Sequence, residues 1–336
     1  MDILEIRSPD DFHVHLRQGP GLAAYAARSA EHFGRFLAMP NVVPPLVSGS
    51  GVADYGRAVR SAIAASGRAS TALLSFKLVP GMGRDAVLSC AAAGAAAGKY
   101  YPAGATTNSA DGVPDPGSVS AELSAMEEAG VPLSIHGEDP LAPVLEREGA
   151  FLPVVDRILA AHPRLRVVLE HLSTAEAVEA VRAWPERVAA TITSHHLSFT
   201  VDDVLGERLD PTYFCKPILK TSKDRAALLE AAVSGSPRFF FGSDSAPHPP
   251  AAKASGAAGS YAAPVAMSLL AAAFEEAGAL DRLEGFVSER GARFYGLALN
   301  AGRLALERRP WTVPELIDGS RPLAAGRTLS WSAARA

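Results

Sequence analysis

The chain has only two cysteines, Cys90 and Cys215, in 336 residues. Two thiols so far apart in sequence make no disulfide framework, so the reading is a reducing compartment, the cytoplasm. No run approaches the roughly 20 consecutive apolar residues of a membrane-spanning helix. The opening MDILEIRSPDD is acidic and lacks the basic and apolar regions of a secretory signal. Nor is there a charge extreme: the formal net charge is -4, which gives no reason to expect a nucleic acid or a membrane surface as partner. With 48% hydrophobic and 20% charged residues, the composition is globular and argues against global disorder.

Along the chain, short apolar, β-leaning runs alternate with alanine-rich amphipathic stretches. The strand candidates are ILEIRSPDDFHVH, RFLAMPN, TALLSFKLV, AAAGKYY, VPLSIHGE, RVVLEHLS, VAATITSHH and RFFFGSDS. Helical patterns such as VADYGRAVRSAIAAS and TAEAVEAVRAW lie between them, with capping residues near many ends. About eight continuous apolar strands alternating with helices predict a parallel sheet covered by helices. Over about 250 residues this matches a closed (β/α)8 barrel, with a doubly wound open sheet as the alternative. No composition shift marks a second domain, so residues 1–336 are expected to form one. The segment from Leu197 to Ser222 reads as an irregular loop over the barrel mouth.

The unusual polar residues fall at the strand ends. In DDFHVHLRQG, alternation puts Phe12, Val14 and Leu16 on one face and Asp11, His13, His15 and Arg17 on the other. Asn41, His136, His171 and Asp244 end later strands, and Lys99 lies within the fourth. His195 and His196 end the seventh; His195 reads as a surface neighbour of His196 and is left out of the site. A barrel brings all its C-terminal strand ends to one mouth, where catalytic groups gather. Alone, each residue has a plain reading: a hydrogen-bonded histidine, a snorkelling Lys99, a turn-forming Asn41, an Asp244 that caps a helix. Together, four histidines and an aspartate are the donors a zinc-like ion prefers, and more than one four-coordinate ion needs. Lys99 is the odd member. Burial favours its neutral amine, which can take up carbon dioxide as a carbamate, an anion able to span two ions.

The motifs RSPDDFHVHLRQG, MPNVVPP, GKYYPAGATTNS, PLSIHGE, LEHLST, FCKPILK and GSDSAPH resemble the amidohydrolase superfamily and, within it, the dihydroorotases of the single-function bacterial type. The resemblance runs over nearly the whole chain. It implies that His13, His15 and Asp244 bind one divalent metal, zinc by expectation. A carbamylated Lys99 then bridges to a second metal held by His136 and His171. A hydroxide lies between the ions, and Asp244 carries the proton. It further implies that Arg17, Asn41 and His248 hold a substrate carboxylate, and that backbone near Lys216, Ala258 and Gly259 meets the ring amide, with His136 also lining the substrate. Thr106 and Thr107 would lie on a closing loop. The implied reaction is the reversible closure of N-carbamoyl-L-aspartate to L-dihydroorotate, and such relatives often pair as homodimers. The chain departs from the pattern at Gly104, where asparagine is expected, and at Ser194-His195, where Pro-Gln is. Lys216 stands where an apolar residue is common, and HPPAAKASGAAGSYAAP is poor in charge. The rivals are a hydantoin- or allantoin-cleaving enzyme, which would give the carboxylate clamp nothing to hold, a mononuclear deaminase, and a silent scaffold lacking metal ligands.

Overall fold

The computed structural model describes residues 2–335; Met1 and Ala336 lie outside the described residues. The expected first strand is in fact two. Pro9, which has no N–H to give a ladder, follows Ser8 between β1 (Ile3–Arg7) and β2 (Asp10–Val14). The chain continues as α1 (Gly21–His32), β3 (Arg35–Ala38), α2 (Gly49–Ala65), β4 (Thr71–Lys77), α3 (Arg84–Ala92), β5 (Ala95–Tyr100), α4 (Ser120–Ala129) and β6 (Leu133–Ile135). Then come α5 (Arg147–Ala161), β7 (Val167–Leu169), α6 (Ala175–Ala183) and β8 (Val188–Ile192). The expected irregular segment takes in the end of α7 (Ser194–Ser198), then α8 (Val201–Leu205) and a 3-10 turn at Pro211–Tyr213; the Thr193 and Asp210 side chains accept a backbone N–H at the starts of α7 and the turn, and Asp203 accepts the Thr200 N–H at the start of α8. The remaining elements are α9 (Ser222–Val233), β9 (Phe239–Phe241), α10 (Pro250–Ala254), α11 (Ala266–Glu276), α12 (Arg290–Phe294), β10 (Arg303–Glu307), β11 (Trp311–Thr312), β12 (Thr328–Leu329) and β13 (Ser332–Arg335).

Strands β2 to β9 form one parallel sheet in chain order, which closes as a (β/α)8 barrel. Val14 makes the closing bridge to Ser245, and His15 N–H donates to the Ser245 carbonyl at 2.9 Å. Asp11 does the rest of the seam: Ser243 donates its N–H (2.8 Å) and its hydroxyl (2.6 Å) to the Asp11 carboxylate. Strands β1, β10 and β13 pair antiparallel outside the barrel.

The sheet is apolar on both faces, as a covered parallel sheet must be. In β7 and β9, Val168 and Phe240 pack with Phe12 and Ala189 in one cluster. Their chain neighbours Val167, Leu169, Phe239 and Phe241 pack in the larger cluster that includes the helices. The expected face alternation in β2 fails, because Phe12 joins the first cluster while Val14 and Leu16 join the second. The pairing of β2 with β3 shifts register between Asp11 and Val14, which resets the alternation where the site begins.

Close approach explains the glycine before Lys99. A Cβ on Gly98 would lie 2.7 Å from both Phe76 Cζ and Met126 Cε. Gly98→Ala is expected to destabilise the chain by about 1–3 kcal/mol through overpacking. Urea denaturation at fixed metal concentration measures this, because ligand binding to the native state also shifts apparent stability.

Candidate active site

The strand ends of the barrel converge on one pocket. Its lining includes His13, His15, Arg17, Asn41, Thr106, Thr107, His136, His171, Lys216, Asp244, Ala258 and Gly259. Lys99 lies buried below this lining, and His248 stands behind Arg17. The barrel therefore collects residues spread from position 13 to position 259 at one mouth. Arg17, His171 and Asp244 have backbone φ angles of 62°, 45° and 44°. A non-glycine residue in the left-handed region is strained, and such strain is characteristic of functional sites. For Asp244 this geometry also replaces the helix-capping reading with a side chain turned at a strand end.

Two groups of donors face each other. His13 Nε2 and His15 Nε2 lie 3.4 and 3.2 Å from Asp244 Oδ1. Ligating atoms of the three residues all lie within 4.8 Å of one another. On the other side, His136 Nδ1 and His171 Nε2 are 3.2 Å apart. Burial lowers the pKa of His15 to about 4 and also lowers those of His136 and His171, leaving imidazole lone pairs available at neutral pH. Burial alone would raise the Asp244 carboxyl, but the His15 bond and the surrounding histidines hold it well below the usual range, as an anion. Lys99 Nζ is fully buried and has no hydrogen-bond partner; it stands 5.2 Å from the centre of the Tyr101 ring. Burial lowers its pKa to about 8 although Glu170 and Asp244 pull the other way.

Sequence reasoning missed the residues that orient these donors. Glu170 Oε2 meets His13 Nδ1 at 2.9 Å and accepts the Thr191 hydroxyl at 2.6 Å. Glu138 Oε2 meets His136 Nε2 at 2.8 Å, which leaves Nδ1 facing the pocket side. A carboxylate behind an imidazole fixes its tautomer and raises its basicity. The available signal was an acidic residue beside each strand-end histidine, in LEH and in HGE. Asn41 also orients a donor, since its Oδ1 lies 2.8 Å from His15 Nδ1. Arg17 donates through Nε to the Pro247 carbonyl (3.0 Å) and stands 2.8 Å through Nη2 from His248 Nε2.

His195 and His196 are corrected by the structure. Both sit on α7, beyond the strand, and are 1% and 3% exposed; neither is on the surface. Thr193 caps this helix by accepting the His196 N–H at 3.0 Å, which stops the strand before the histidines.

The loop carrying Thr106 and Thr107 is folded over the pocket and held from several sides. Lys216 Nζ donates to the Ala105 carbonyl at 2.8 Å, and Lys77 Nζ to that of Asn108 at 2.8 Å. Asn108 Nδ2 donates to the Asn41 carbonyl at 3.1 Å, and Asn41 Nδ2 makes a long 3.4 Å contact with the Thr107 carbonyl.

The amidohydrolase family model matches residues 11–314. A dihydroorotase of Halorhodospira halophila is 46% identical over 341 residues, covering 98% of this chain and 99% of that one. A dihydroorotase of Leptothrix cholodnii is 44% identical over 337 residues, 98% of each chain. Among solved structures, dihydroorotase from Saccharomyces cerevisiae in complex with 5-fluoroorotic acid superposes with a TM-score of 0.92 at 34% identity, over 100% of this chain and 99% of that one. No helix among the described residues is long and apolar enough to cross a membrane.

The Lys216 contact has a measurable consequence. Lys216→Leu removes one hydrogen bond from the folded-in loop, worth about 1 kcal/mol. Backbone amides of residues 104–109 are then expected to exchange with deuterium roughly fivefold faster, those of the barrel strands unchanged.

Proposed function

The chain belongs to the amidohydrolase family and, within it, to the dihydroorotases, and from that premise we propose how its residues divide the work. The reaction is the reversible, water-releasing closure of N-carbamoyl-L-aspartate to L-dihydroorotate in pyrimidine biosynthesis. One observation carries the assignment of roles: a buried lysine without a partner stands among histidine and carboxylate donors grouped closely enough to share ions. These residues fit two divalent metals, zinc by their donor type. His13, His15 and Asp244 would hold one. His136 through Nδ1 and His171 through Nε2 would hold the other; their nitrogens are 3.2 Å apart, a hydrogen bond that a bound ion would replace. Lys99, as its carbon dioxide adduct N6-carboxylysine, would span both, which removes a buried cation and supplies two oxygens. When bound, the ions supply an acidified water and polarise the ring carbonyl.

The remaining roles belong to the side chains and backbone. Asp244, held as an anion, takes the proton of the attacking water during ring opening and delivers it to the departing amide nitrogen. Arg17 offers a guanidinium fork to the substrate carboxylate, with Asn41 Nδ2 and His248 adding donors. The long contact from Asn41 Nδ2 to Thr107 leaves that N–H available while Oδ1 stays on His15. Lys216, Ala258 and Gly259 line the pocket, and their backbone groups would meet the ring amide, with His136 bordering it as well. Thr106 and Thr107 close over the ring and exclude water. The yeast relative, crystallised with a pyrimidine carboxylic acid, supports a carboxylate-bearing ring over a hydantoin. Residues 1–336 are proposed to work as one barrel domain, in the cytoplasm, as a homodimer, with the free and buried Cys90 and Cys215 suiting a reducing compartment.

The test follows loss of dihydroorotate ultraviolet absorbance with zinc and bicarbonate supplied. Lys99→Ala is expected to lose roughly 10²–10³-fold or more in kcat, with partial recovery on adding a short carboxylic acid in place of the carbamate. Arg17→Met is expected to lose roughly 30–150-fold in kcat/KM, the worth of charge-assisted bonds of about 2–3 kcal/mol. Failure of the metal-replete wild type to open dihydroorotate, with turnover of hydantoin instead, would overturn the reading.

A further inference from the structure

Next to the pocket, His195, His196 and Cys215 form a cluster that the reaction does not use. One ligating atom from each lies within 4.8 Å of the others, and all three side chains are buried. His195 is the unexplained member: it is 1% exposed and neither of its ring nitrogens has a hydrogen-bond partner. A buried polar side chain left so is costly and calls for a ligand. A further donor stands within the cluster. The Pro217 carbonyl oxygen is 3.2 Å from His196 Nε2 and 3.2 Å from Cys215 Sγ. Ordinary zinc bond lengths and tetrahedral angles give nitrogen–oxygen and sulfur–oxygen edges of about 3.3–3.6 Å, close to this spacing. His196 is also oriented as a metal ligand would be, with its other nitrogen 2.8 Å from Thr193 Oγ1.

We propose that His195, His196, Cys215 and the Pro217 carbonyl form a third metal site, for a soft divalent ion of the zinc class. Sulfur and imidazole donors select such an ion over magnesium or calcium. On binding, the Cys215 thiol loses its proton to solvent and its bond to the Pro217 carbonyl, and a thiolate–metal bond forms. The His196 proton moves from Nε2 to Nδ1, where Thr193 Oγ1 accepts it; nothing is oxidised or reduced. Burial pushes the Cys215 thiol up to about 12, so the ion itself, not solution pH, drives ionisation. The charged groups that act on Cys215 are Asp244 and Glu138 on one side of the balance and Lys253 and Lys220 on the other. Lys253 Nζ is occupied by the carbonyls of Phe214, Ala257 and Gly259. An ion here ties down both neighbours of Lys216, the residue that holds the Ala105 carbonyl of the active-site loop. The site is independent of the catalytic assignment.

The experiment titrates cobalt(II) into the chain to three equivalents while recording the near-ultraviolet spectrum and counting bound metal. The proposed catalytic donors contain no sulfur, so a sulfur-to-cobalt charge-transfer band reports this site alone. Wild type and Cys90→Ser are expected to show the band and a third bound ion; Cys215→Ser is expected to lose both. His195→Gln, similar in volume and still polar, keeps the thiol and is expected to bind the third ion at least tenfold more weakly, which decides the matter should Cys215→Ser fail to fold. Absence of the band in wild type at saturating cobalt, its persistence in Cys215→Ser, or unchanged affinity in His195→Gln would overturn the proposal.

Discussion

Lys99 sets the central constraint on this molecule. Its amine is fully buried, lies on the inner end of a barrel strand and has no hydrogen-bond partner. An ammonium there would forgo hydration with no hydrogen-bonded partner to replace it, and burial lowers its pKa to about 8 against the pull of Glu170 and Asp244. The proposed carbon dioxide adduct answers this by replacing the proton-bearing amine with an anion that the surrounding donors can share with metal ions. Neutral imidazoles from three strands and an ionised Asp244 surround a space that a carbamate and two cations would make electrically coherent. Glu170 and Glu138, behind His13 and His136, hold the rings in place for that purpose.

The barrel provides this arrangement by closing on itself. Asp11 and Ser243 bind the first and last strands across the seam, and the register shift in β2 turns His13 into the mouth above Phe12. Strained backbone at Arg17, His171 and Asp244 then aims their side chains inward. Such strain persists only where the surrounding packing determines the conformation, and here it is met by fully buried strands on either side.

Much of this was legible in the sequence, for physical reasons. Continuous apolar strands such as VVL and FFF carry the parallel barrel in their composition, and polar residues at their ends stand out against it. The donor residues were visible because histidine, lysine and aspartate are rare beside such runs. What was not legible depends on the third dimension. Alternation alone put Phe12 on the same face as Val14, because a register shift has no signature in DDFHV. His195 read as exposed because burial of α7 comes from chain far away in sequence. The positive φ angles, the Glu170–His13 pair and the Lys216–Ala105 contact likewise join residues whose proximity only the closed barrel creates.

Everything at the barrel mouth turns on the chemical state of Lys99, which can be read directly. Protein reconstituted with zinc in ¹³C-bicarbonate, examined by ¹³C nuclear magnetic resonance, should show one carbamate carbon that is absent from Lys99→Ala and disappears when the metal is stripped. An unmodified Lys99 amine in fully active, metal-replete protein would contradict this, and the two donor groups at the barrel mouth would then need a different bridge.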